Sequence, residues 1–200
     1  MHYLWEQHPV FQWLNNKVAS GFRRQQAPVI VAGNKLAKDE VIYVTYSLIT
    51  NQKGQPLIQR WLGIRFVNGA FNSFDALEDV LSHTGLTQGL PNSGEVPMTL
   101  EQLKSQLPEV VKQTKQQMTI YRKAFEQENR PRLNAQLVKL ESLEHKHVQQ
   151  LDIFIETSDQ YKKGKEDIRS RFEEYRQWIQ ETMNTEDQPY IQIVAAIVQA

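Results

Sequence analysis

Apolar residues recur along the chain with two different periods. Val10, Trp13, Leu14, Val18 and Phe22 follow His8-Pro9 at helical spacing. Proline is tolerated in a first helical turn because its missing N–H needs no partner there. A helix over Pro9–Phe22 is predicted, ending before Gln25–Pro28 because the residue before a proline disfavours the α region. The period then changes to two. Pro28–Ala32 is short and β-branched, and Val41–Thr50 (VIYVTYSLIT) puts Ile42, Val44, Tyr46 and Leu48 on one side. Leu57–Val67 puts Ile58, Leu62, Ile64 and Phe66 on one face, and Asn51–Gln55 (NQKGQ) between the two runs offers a glycine for positive φ. Val41–Val67 is therefore a predicted β-hairpin. Asn68-Gly69 marks a second turn, and Ser73 or Asp75 is placed to cap a short helix over Phe74–His83.

From Thr99 the period is helical throughout. Thr99-Leu-Glu-Gln102 has the form of a capping box, in which the hydroxyl and the glutamine side chain each take the other residue's backbone N–H. Leu103, Leu107, Val110, Val111, Thr114, Met118, Tyr121 and Phe125 follow at steps of three and four. Leu133, Leu137, Leu140, Glu144, His147, Leu151 and Phe154 alternate 4-3-4-3-4-3, and Ile168, Phe172, Tyr175 and Ile179 form a third stripe. These are coiled-coil-like seams, and the polar Glu144 and His147 favour packing within the chain over a long ideal zipper.

The C-terminal PYIQIVAAIV is apolar on both faces, as an interior strand is. Its need for partners bears on the topology. A single helix over Thr99–Thr157 would run ~88 Å and a return helix Glu166–Met183 only ~27 Å, too short to bring the last strand back. Mid-helix proline costs about 3 kcal/mol. The preferred arrangement is therefore three antiparallel helices reversing at Asn129–Pro131 and Ser158–Lys165, against a kinked long helix with the second reversal alone. The predicted fold is α+β: a small mostly antiparallel sheet with an antiparallel helical hairpin or three-helix bundle. The expected organisation is an α+β subdomain over 1–98, a helical coiled-coil-like subdomain over 99–188, and a C-terminal strand over 189–200 returning to the sheet. The composition shift falls at the turn-rich LPNSGEVP, after which a single glycine, Gly164, remains of nine.

Composition narrows the function. The 200 residues are 40% hydrophobic and 23% charged, with 23 basic and 23 acidic side chains and no cysteine. Zero net charge excludes a uniformly basic nucleic-acid coat protein. The lack of cysteine excludes disulfides, thiolate metal sites, Fe–S clusters and cysteine nucleophiles. No apolar run approaches the ~20 residues of a membrane span, and the N-terminus lacks a secretory pattern, so a soluble cytoplasmic chain with no membrane partner is expected.

No phosphate-binding loop, G-x-G-x-x-G or G-x-S-x-G occurs, so no catalytic residue and no cofactor is assigned. Glu144-x-x-His147 has the form of a di-iron helix element, but a second Glu-x-x-His is missing, and no metal site is assigned. Asp79 and His83 read as a surface i,i+4 pair. Trp13, Trp61 and Trp178 read as core aromatics by their periodicity, leaving Trp5 outside that pattern. The basic residues at the two expected reversals, Arg130 and Arg132 at one and Lys162, Lys163 and Lys165 at the other, are the candidate nucleic-acid contacts. Neighbouring acids make the expected binding to DNA or RNA weak and non-specific.

Several runs carry a family likeness. They are LWEQHPVFQWLNNKVASGFRRQQAPVI, VIYVTYSLITNQKGQPLIQRWLGIRF, the LPNSG linker, ENRPRLNAQLVKLESLEHKHVQQL and RFEEYRQWIQETMNTEDQPYIQIVAAI. Together they resemble the C-terminal region of bacterial Swi/Snf-type superfamily-two helicases, including those of phage-defence loci. The resemblance implies a non-catalytic accessory domain of an ATP-dependent helicase or translocase, contacting nucleic acid, the motor core of the parent chain or a partner subunit. The motor motifs would lie upstream. A free-standing coiled-coil protein–protein adaptor is the alternative reading.

Overall fold

In the computed structural model, five strands form one mixed sheet in the order β1-β5-β2-β3-β4. The residues described are 9–10, 13–14, 17, 27–32, 36–86, 95–96, 98–154 and 158–199. The elements are β1 (Val29–Val31), β2 (Glu40–Thr50), β3 (Pro56–Val67), β4 (Ala70–Ala76), α1 (Leu77–Thr84), α2 (Leu100–Phe154), α3 (Ser158–Met183) and β5 (Tyr190–Val198). The fold is α+β with a helical hairpin, as the periodicities predict. Pro9, Val10, Trp13, Leu14 and Lys17 are helical, and the rest of the expected Pro9–Phe22 helix lies outside the described residues. The LPNSGEVP linker does too, apart from Glu95 and Val96.

The chain divides into two compact units that cut across its elements: Met1–Ser47, Trp61–Thr114 and Ile191–Ala200 form one, Leu48–Arg60 and Lys115–Tyr190 the other. In the first, β5 pairs in parallel with β1 (Ala196 opposite Val29) and lies between β1 and β2. Val194–Val198 are buried, so the doubly apolar sequence is that of an inner strand. Ile42, Val44, Val194, Ala195, Ile197 and Val80 of α1 make a core on one face. On the other face the Tyr43 hydroxyl lies against α2, 3.0 Å from the Leu103 carbonyl and 2.9 Å from Gln106 Oε1. That burial pushes the Tyr43 phenol up to about 12.

The sequence underread β4. Asn68 and Gly69 both have positive φ, the geometry of a two-residue hairpin turn, so the chain continues as a strand against β3 up to Ala76. Helix α1 then starts at Leu77 with Ala76 at its N-cap and no side-chain cap, not at Phe74. Asp75 is instead engaged by Arg65 at 2.7 Å. The Thr99 capping box forms as predicted: Thr99 N donates to Gln102 Oε1 at 2.9 Å and Gln102 N to Thr99 Oγ1 at 3.3 Å.

The second unit corrects the helical topology. No reversal occurs at Asn129–Pro131: α2 runs unbroken for 55 residues, about 82 Å, and α3 for 26 residues, about 39 Å. Pro131 lies on the exposed side of α2, where water can satisfy the Gln127 carbonyl that loses its partner. After Met183 the chain bends at Asn184, Asp187 and Gln188 before β5 begins at Tyr190. Arg122 pairs with Asp187, and Lys115 donates to Gln188 at 3.1 Å. The tip of the β2–β3 hairpin meets it part-way, with Asn51 bridged to Thr185 and Glu186 N donating to the Thr50 carbonyl at 2.8 Å.

Candidate nucleic-acid interface on the helical hairpin

α2 and α3 pack antiparallel through half-buried residues: Leu133, Leu137, Leu140, Glu144, Val148 and Leu151 on α2, and Tyr161, Ile168, Phe172, Arg176 and Ile179 on α3. Near the reversal, a Cβ on Gly164 would lie 3.2 Å from the Leu151 methyls, so the glycine sets a close approach. Glu144 receives Arg176 at 3.0 Å. Two seam assignments change. Val148 takes the inner position expected of His147, and Arg176 that expected of Tyr175. A carboxylate at the seam draws the arginine inward, and the neighbouring aromatic is turned to solvent.

The five basic residues singled out in the sequence do not come together. Arg130 lines a cleft of about 450 Å³ with Lys123, Leu133, Met183 and Asn184. That cleft adjoins the C-terminal end of α3, whose last carbonyls carry negative partial charge and whose last turn contains no basic residue. Lys123 and Arg130 line the cleft together with the Glu126 carboxylate. Lys162, Lys163 and Lys165 belong to the first turns of α3 and not to a loop. Helical geometry turns Lys163 about 100° from Lys162 and about 160° from Lys165. The Lys165 ammonium lies 5.5 Å from the Tyr161 ring.

Arg132 has different company. Arg132, Lys139 and Lys146 recur every seven residues on one flank of α2, all exposed, and none makes an ion pair among the described residues. The three span about 21 Å. Gln136, Leu143 and Gln150 run beside them, and the two carboxylates between 132 and 150, Glu141 and Glu144, lie off this row, Glu144 at the seam. An aromatic chain crosses to α3 on the same flank. The His147 ring lies 5.6 Å from Phe172, and Phe172 lies 6.4 Å from Tyr175. Tyr175 (59% exposed) and Trp178 (54%) continue it, with exposed Arg171 one turn before Tyr175. The Lys53 ammonium caps Trp178 at 5.9 Å and holds Glu181 at 3.2 Å. A hydrogen bond from Gln177, together with Lys53, keeps the Glu181 carboxyl below its ordinary range. Asp167 and Glu174 lie farther out on α3.

Trp178 and Trp13 are exposed, contrary to their apolar periodicity, whereas Trp61 packs 4.9 Å from Tyr46. Sequence reasoning passed over Lys139, Lys146, Arg171 and Tyr175. The signal available was the seven-residue recurrence Arg132-Lys139-Lys146, which places three cations on one flank of any heptad helix.

Elsewhere, His83 lies beside Glu40 (3.9 Å) and Arg65 (3.4 Å), not Asp79. Buried Glu40 also accepts the Ala37 N–H at 2.9 Å and pairs with Arg65, a self-satisfied ionic cluster at the sheet. Glu144 is paired with Arg176 at the helix seam, and exposed His147 lies against Phe172. Among the described residues no three His, Cys, Asp or Glu side chains group as metal ligands, and no helix is long and apolar enough to cross a membrane. Compared with protein families, curated proteins and solved structures, the chain matches none.

Proposed function

We propose that this chain is a non-catalytic module that contacts nucleic acid through the flank of its helical hairpin, and that it serves as the C-terminal accessory domain of an ATP-dependent helicase or translocase of the Swi/Snf type. One observation carries the contact: three cations in a seven-residue row, with no ion pair among the described residues, share a flank of the hairpin with Arg171, Tyr175 and Trp178. Cations that make no ion pair within the fold are available to phosphates, and exposed aromatics beside them are available to bases. The motor assignment rests on the sequence resemblance. In that reading the chain hydrolyses no ATP itself and adds affinity for the track, with the motor core as its partner in the parent chain.

Fluorescence anisotropy of a labelled oligonucleotide with the purified chain tests the contact. Arg132→Gln, Lys139→Gln and Lys146→Gln together should weaken binding, while a chain that binds no oligonucleotide at low salt overturns the reading.

The adaptor reading has its own observation. About 100° round α2 from the cation row, Ile120 (59% exposed), Ala124, Gln127, Pro131, Asn134 and Val138 (65%) form an uncharged exposed stripe at 4-3-4-3-4 spacing. Such a stripe suits a second helix.

A further inference from the structure

Cations alone bind duplex and single strand alike through phosphate, so they do not identify the form of nucleic acid. The aromatic residues discriminate. In a duplex the base faces are stacked on one another and offer nothing to a ring on a helix surface. In a single strand every base has a free π-face. Tyr175 and Trp178 lie one turn apart on α3, each with more than half of its surface in solvent. Exposing two large rings on a surface helix forfeits the burial they would gain by turning inward. The seam position beside Tyr175 is filled instead by Arg176, held by Glu144 at 3.0 Å and by Glu173.

The rings are also chemically prepared. Lys53 sits at the face of Trp178 at 5.9 Å, and Phe172 supports Tyr175 from the inner side at 6.4 Å. Phe172 in turn rests on His147, so the platform is continuous with α2. Arg171 precedes the rings on α3 with Asp167 and Glu174 farther out, and Lys139 and Lys146 lie on α2 outside the Gln136–Leu143–Gln150 row that borders the seam. No recognition of a particular sequence follows. Stacking accepts every base.

We infer that the Arg171–Tyr175–Trp178 ridge is a stacking platform for single-stranded nucleic acid, with Tyr175 and Trp178 taking base faces and Arg171, Lys139 and Lys146 taking the phosphates of the same strand. The inference rests on the nucleic-acid reading above and narrows it to an unpaired strand.

The test uses the whole chain and three labelled probes by anisotropy: a 20-nucleotide oligo-dT, an oligo-U of equal length and a 20-base-pair duplex. Tyr175→Ala with Trp178→Ala should weaken both single strands at least about 5-fold, the lower end for one lost stacked base, and leave the duplex unchanged. Tyr175→Phe with Trp178→Phe keeps the π-faces and should restore most of the loss. The oligo-dT and oligo-U arms show whether a DNA or an RNA strand is preferred. Circular dichroism of each variant checks the fold, which substitutions at exposed positions should leave intact. Equal binding of single strand and duplex, with the alanine variant indistinguishable from wild type and the Arg132, Lys139 and Lys146 variant impaired, overturns the platform and leaves the phosphate contact standing. Absence of binding to all three probes overturns both.

Discussion

Asn51, at the tip of the β2–β3 hairpin, donates its side-chain amide to the Thr182 carbonyl at 2.9 Å, in the last turn of α3. The same amide donates to Gln55 Oε1 at 3.0 Å, and its oxygen accepts Lys53 N at 3.0 Å and Gln55 N at 2.9 Å. All four hydrogen-bonding positions of the side chain are used, in a residue 1% exposed. One asparagine thus shapes its own turn and caps a helix more than 130 residues later.

Asn51→Ala leaves those groups without partners in a buried place, at a cost of about 1–3 kcal/mol. A urea midpoint lowered accordingly, with an unchanged slope, is the expected result. Asn51→Asp should be at least as damaging, because it removes both donors and sets a negative charge against a helix C-terminus. A midpoint unmoved in Asn51→Ala would show that the bridge to Thr182 contributes nothing.

Gly63 is fixed by packing. A Cβ there would lie 2.3 Å from Val80 Cγ2 and 3.3 Å from Ile42 Cγ2, and Val80 is fully buried. Gly63→Ala should cost about 1–3 kcal/mol by overpacking between β3 and α1. Val80→Ala in the same chain should recover part of the loss, and a double-mutant cycle by chemical denaturation measures the coupling. Purely additive effects would place α1 elsewhere.

The buried Tyr43 phenol gives a pH dependence of definite sign. Its value is pushed from 10 up to about 12 by burial, so the folded state favours the neutral form more than the unfolded state does. Its contribution is complete below pH 10 and is lost as pH rises toward 12. Melting temperature should therefore fall more steeply over that interval in wild type than in Tyr43→Phe. Parallel curves would contradict the burial of this hydroxyl against α2.

Pro131 separates a continuous α2 from a reversal. In an exposed helix interior, Pro131→Ala restores one backbone hydrogen bond and removes a clash, which should stabilise by about 2 kcal/mol after allowing for the looser unfolded chain. At a turn the same change would destabilise. Thermal denaturation decides between the two.

How much of this was legible before the structure depends on the range of the interaction. Periodicity located the β2–β3 hairpin, the inner strand β5 and the Thr99 cap, because each is set by neighbours in sequence or by burial on known faces. The Pro131 reversal was misread because local propensity was weighed without the tertiary contacts that override it: Arg122 with Asp187, and Asn51 with Thr182. Those contacts join residues 65 and 131 positions apart, and no spacing rule anticipates them. The candidate site failed for a related reason. Arg130 and Lys163 look clustered in a sequence drawn as loops, yet on continuous helices they point along different directions. Trp178 looked like core because an amphipathic stripe does not reveal whether a seam prefers Trp178 or the Arg176 that Glu144 draws in.

The salt dependence of single-strand binding tests the central claim most directly. Each phosphate contact released contributes a slope of about 0.7 in log affinity against log salt for a single strand. Replacing Arg132, Lys139 and Lys146 with glutamine should flatten that slope by about 2 units, while replacing Lys162, Lys163 and Lys165 should change it far less, because Lys163 points away from the other two and Lys165 lies against Tyr161. A slope unaffected by the first triple and flattened by the second would contradict the assignment of the nucleic-acid contact to this flank of the hairpin.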